Sequence, residues 1–111
     1  MIHITGSVDR LKLYIEGHAN AAEHGKDIYC AAVSALSQTL LNRMQQEERR
    51  TKDVHVMSEM ESGKFSLEVW VQPWRLVWAR NAFDLIFSGL RKMAKQYPKY
   101  ISMEEEKDGG F

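Results

Sequence analysis

The single cysteine of this 111-residue chain, Cys30, lies downstream of His18 and close to the start of a helical pattern. Cysteine attacks as the thiolate, and an ordinary thiol is mostly protonated near neutrality. The first turn of a helix offers unsatisfied amides and the positive end of the macrodipole, both of which favour a negative sulfur. A nearby imidazole can take the thiol proton and later pass it to a leaving amine, the Cys/His logic of acyl transfer. His18 suits that role because it leaves the end of a strand, where a sheet can fix it. His24 is the second candidate, while His3 and His55 fall on strand patterns that read as structural. Amides at the helix start are candidate oxyanion donors.

Two further side chains belong to this constellation. Ser34 follows Cys30 by one helical turn and shares its face, so it can bond to the dyad, to a substrate or back to its own helix. Asp27 precedes the helix in the N-cap position. It could orient His18, but a carboxylate beside a thiolate disfavours the thiolate, so capping is the better role. A competing reading makes Cys30 a small buried hydrophobe in an Ala-rich helix. One Cys with scattered His gives none of the familiar zinc spacings, and no metal or other cofactor is expected.

The elements that must hold these residues follow from periodicity. Ile2 and Ile4 alternate with His3 and Thr5, and Leu11, Leu13 and Ile15 alternate with Lys12 and Tyr14, which predicts an antiparallel hairpin delivering Gly17-His18. Ala19 to Lys26 reads as a loop. A helix capped by Asp27 then carries Ala31, Ala35, Leu36, Leu40 and Met44 to a charged end. A second hairpin follows, with Val54 to Met60 and Phe65 to Val71 joined at Ser62-Gly63. Pro73 opens a second helix that Pro98 ends, and on it Trp74 and Trp78 share a face suited to a core or a dimer interface. The order ββαββα predicts an α+β fold, with a four-stranded mixed or mostly antiparallel sheet covered by two helices. Residues 1–101 form one domain in this reading, and 102–111 an acidic, flexible tail.

Composition narrows the class. With 44% apolar and 27% charged residues the chain reads as one globular domain. Fifteen basic and fifteen acidic side chains cancel, so no whole-molecule field draws it to nucleic acid or to a membrane surface. A lone cysteine excludes an internal disulfide, and the apolar runs are broken well short of the roughly 18 residues of a membrane span. A cytoplasmic setting is expected.

The cluster GHA, GKDI and CAAVSAL across Gly17 to Leu36 closely resembles the ribosomal-processing cysteine protease Prp, or YsxB-like, family, and the ββαββα order agrees over nearly the whole chain. The resemblance implies a small α+β homodimer, found in Firmicutes, related bacteria and some of their phages. It implies removal of a short N-terminal extension from large-subunit ribosomal protein number twenty-seven. The family's histidine falls on His18 and its nucleophile on Cys30; its glycine, aspartate and serine fall on Gly17, Asp27 and Ser34. The loop Ala19 to Lys26 becomes the segment that moves to admit an extended peptide. Two departures flank the site and bear on substrate preference: Asn20, where an aromatic or glycine is expected, and Tyr29, where a small aliphatic residue is usual. A phage protease trimming a capsid or scaffold precursor fits the same residues, and so does a non-catalytic dimeric module that binds ribosomal or virion precursors.

Overall fold

The computed structural model describes residues 1–19 and 27–106. Its elements are β1 (Ile2–Ser7), β2 (Lys12–Glu16), α1 (Ile28–Arg50), β3 (Val54–Glu61), β4 (Lys64–Val71), a 3-10 turn (Pro73–Arg75), α2 (Leu76–Gln96) and β5 (Ile101–Glu105). The strands form one sheet in the order β3-β4-β2-β1-β5. Every pairing is antiparallel except that of β1 with β5.

The period-two patterns produce one buried sheet face. Ile2, Ile4, Leu13, Ile15, Leu67 and Val69 point into the core, where Leu40 and Met44 of α1 and Phe83, Phe87 and Leu90 of α2 meet them. The opposite face keeps its polar side chains in solvent, with His3 bonded to Ser102 (Nδ1 to Oγ, 2.8 Å) and His55 beside Glu48 (3.5 Å). Both helices therefore lie on one side of an α+β sheet, as the alternation requires. Among the described residues no helix is long and apolar enough to cross a membrane.

The sheet has five strands where the sequence suggested four. Residues 101–105 fall at and beyond the expected domain boundary, yet they pair in parallel with β1, from Ile2↔Ile101 to Gly6↔Glu105. Ile101 is buried, and Arg91 on α2 forks onto Glu105 at 2.7 and 2.8 Å, so the acidic run acquires a counter-charge from another element. These contacts hold the Arg91 guanidinium protonated beyond its usual range. The rest of the expected tail, from residue 107, lies outside the described residues.

A second charged knot closes the far end of α1. The Trp78 ring meets the guanidinium groups of both Arg43 and Arg75, at 5.0 and 4.7 Å from the ring centre. Glu47 accepts from Arg43 at 3.1 Å and pairs with Arg75 at 3.1 Å. Trp78 thus packs against the charges that join α1 to the turn before α2, while Trp74, bonded through Nε1 to Asp53, remains exposed.

Candidate active site

Asp27 begins the site. Its side chain accepts from the amides of Tyr29 (2.9 Å) and Cys30 (3.1 Å), which fixes the first turn of α1. Tyr29 stacks on Tyr100 at 4.5 Å and leans on Tyr97 at 5.0 Å, which ties the same turn to the α2–β5 connection. The unusual residue at position 29 is therefore an anchor. Cys30 emerges half-buried as a free thiol, and its Sγ accepts from the amide of Ala19 at 3.4 Å. That contact brings the end of the β2 segment to the sulfur.

Gly17 and His18 sit where β2 ends. Gly17 has φ +94, and a Cβ there would stand 2.3 Å from the Met1 carbonyl oxygen, so both conformation and space call for glycine. Its amide donates to the carbonyl of Gly63 at 2.9 Å, joining this corner to the β3–β4 turn. A Cβ on Gly63, itself at φ +74, would stand 2.5 Å from His18 Nε2. The hairpin tip is therefore packed flush against the imidazole.

These elements enclose a groove of about 540 Å³, within the usual range for ligand sites. Gly17, His18, Asp27, Cys30 and Ser34 all line it. The structure thus brings all five sequence-predicted residues to one concavity, with Ser34 exposed one turn beyond Cys30. His3 and His55 lie elsewhere, while His24, Asn20 and the loop from residue 20 to 26 fall outside the described residues. The opposite wall was not foreseen. Met60, Glu61, Ser62, Gly63 and Lys64 come from the hairpin tip. Only the Ser62-Gly63 turn was visible in sequence, and its approach to His18 depends on the β2–β4 register, Glu16↔Lys64.

Three amides at the helix start already have partners. The amides of Tyr29 and Cys30 are taken by the Asp27 side chain, and that of Ala31 by the Asp27 carbonyl at 3.1 Å. The helix start is largely spent on its own cap. The Ala19 amide is the donor aimed at the sulfur.

Known proteins resemble this chain in sequence and in fold. A curated relative from Mycoplasma pneumoniae, named ribosomal processing cysteine protease Prp, is 32% identical over 108 residues, spanning 96% of this chain and 97% of its own. Two crystal structures of the essential ribosomal processing protease Prp from S. aureus share the fold, each covering 96% of this chain and 100% of theirs at 19% identity. The one with a covalently linked product peptide superposes with a TM-score of 0.76, and the one with a substrate peptide with 0.72. Residues 1–102 match the family described as cysteine protease Prp, and to that family of ribosomal-processing cysteine proteases the chain belongs.

Proposed function

We propose that this cysteine protease removes a short N-terminal extension from the precursor of large-subunit ribosomal protein number twenty-seven, using Cys30 as nucleophile and His18 as general base and acid. The observation that carries the assignment is the single groove lined by Gly17, His18, Asp27, Cys30 and Ser34. The name of the Mycoplasma relative supports the substrate class, and the peptide-bound S. aureus structures support a peptide as ligand.

In this reading His18 accepts the thiol proton as Sγ attacks the scissile carbonyl, and the Ala19 amide stabilises the oxyanion. The C–N bond breaks, His18 protonates the leaving amine, and an acyl thioester remains on Cys30. Water, deprotonated by His18, attacks the thioester and releases the new carboxyl end with the thiol restored. Asp27 serves by holding the first turn of α1, and Ser34 faces the bound chain. A cytoplasmic homodimer is the expected form, and sedimentation of the purified protein measures that part.

The test is a peptide spanning the extension junction, incubated with purified protein and read by mass spectrometry. Cleavage at one bond, abolished in a folded Cys30→Ala variant, is the expected result. Full cleavage by that variant overturns the assignment. Cleavage confined to a capsid or scaffold precursor peptide overturns the substrate.

A further inference from the structure

The sheet ends at β3, an eight-residue strand, and the phase of its ladder shows which backbone groups face away from β4. The Gln72 amide donates to the Asp53 carbonyl at 2.9 Å, and Val54 lies opposite Val71. Alternate residues of an antiparallel strand exchange hydrogen bonds with the partner, so His55, Met57, Glu59 and Glu61 bond inward while Val56, Ser58 and Met60 turn their N–H and C=O groups outward. The Val56 amide obeys this phase and is capped by Glu48 Oε2 at 2.7 Å. Between that plug and the turn at Ser62-Gly63, Ser58 and Met60 present the open stretch of edge. Both residues are exposed, and Met60 lines the groove that holds Cys30 and His18.

We propose that the substrate peptide binds as an added strand on this Ser58–Met60 edge and runs from it into the groove. The inference rests on the cysteine-protease reading of that groove. Main-chain hydrogen bonds to an exposed sheet edge recognise an extended chain whatever its side chains, and a cleavable N-terminal extension without structure of its own satisfies that requirement. A second copy of β3 fits poorly. With the edge blocked at Val56, a two-fold pairing over Ser58 to Met60 sets Glu59 directly opposite its own symmetry mate, a like-charge pair that destabilises. The peptide carries no such penalty.

The proposal is tested by binding of the extension-junction peptide to the Cys30→Ala protein, where cleavage plays no part, so its outcome is separate from that of the catalytic assignment. Single N-methyl groups walked along the peptide should weaken binding at alternate positions, by roughly 3- to 10-fold for each lost hydrogen bond. Ser58→Pro removes an outward donor without touching the β4 ladder and should weaken binding by a similar factor, with thermal midpoint and sedimentation unchanged. An N-methyl profile without a two-residue period overturns the proposal, as does a folded Ser58→Pro variant that binds normally. If Ser58→Pro does not fold, the N-methyl profile decides. A Ser58→Pro variant that changes oligomeric state while keeping peptide affinity assigns the edge to a second copy and equally overturns it.

Discussion

Replacing Gly63 by Ala should separate the two tasks this residue performs. Gly63 sits at φ +74, where a side chain costs about 1–2 kcal/mol of stability. The added Cβ would also stand 2.5 Å from His18 Nε2 and 3.2 Å from Cδ2 and Cε1. Ordinary contact between such atoms needs roughly 3.5 Å, so the imidazole must move by about 1 Å. A ring on a rotatable side chain yields readily, so the contact costs little stability and falls instead on alignment with Cys30. A misplacement of about 1 Å can cost on the order of a hundredfold in rate. The expected result for Gly63→Ala is a folded protein with a thermal midpoint lowered by several degrees and kcat/KM for the junction peptide reduced about a hundredfold. Gly63→Asn accepts the left-handed backbone more readily but keeps the Cβ, so it should recover part of the thermal midpoint and little of the rate. Wild-type kcat/KM in a folded Gly63→Ala protein would refute the reasoning, because the imidazole would then do its work from elsewhere.

Three further expectations follow from the packing. Burial, the hydrogen bond it donates to Glu68 and the negative charges of Glu68 and Glu106 together push the Tyr14 hydroxyl up to about 12. The unfolded chain therefore loses this proton first, so the stabilisation is complete below roughly pH 10 and is lost as pH rises towards 12; Tyr14→Phe should flatten that alkaline limb in denaturant titrations. Burial pushes the Glu47 carboxyl up, but the hydrogen bond from Arg43 and the adjacent Arg75 guanidinium outweigh it and the net shift is downward, so its stabilisation is present above the ordinary carboxylate range and fades as pH falls below it. Glu47→Gln should accordingly show a shallower loss of stability between neutral and acid pH. Asp27→Ala frees two amides at once and should cost about 1–2 kcal/mol, measured by urea unfolding, whereas Asp27→Asn keeps a cap and should lose only a fraction of that.

How far the sequence could be read depended on whether the deciding contact was local. The Asp27 cap and the β1–β2 and β3–β4 hairpins are local events, and their signals lie within a few residues of one another. The fifth strand is not: Ser102, Met103 and Glu104 read as a fraying acidic end until Arg91, on another element, supplies the opposing charge. Ser58 and Met60 share the alternation phase of the buried Val54, yet both are exposed, and Met60 borders the groove. Helix-start chemistry pointed to Cys30 and to Asp27 as its cap, but only the folded geometry shows the cap taking the Tyr29 and Cys30 amides together. The groove's second wall depended on a long-range register, and only its turn was written locally.

The parallel pairing of β1 with β5 also bears on how the molecule assembles. The hydrogen bond from His3 to Ser102 spans 99 positions of the chain, whereas β1 and β2 meet across a short turn. During synthesis the first hairpin can form as soon as it emerges, but β1 keeps one bare flank until the intervening α1, β3, β4 and α2 have been made. Closing that flank is a non-local step of the kind that slows folding. It completes the flank of β1, the strand beside the Gly17 corner, so that corner gains this support only after β5 has joined the sheet. A sheet built this way comes into register only after α1, β3, β4 and α2 have been made.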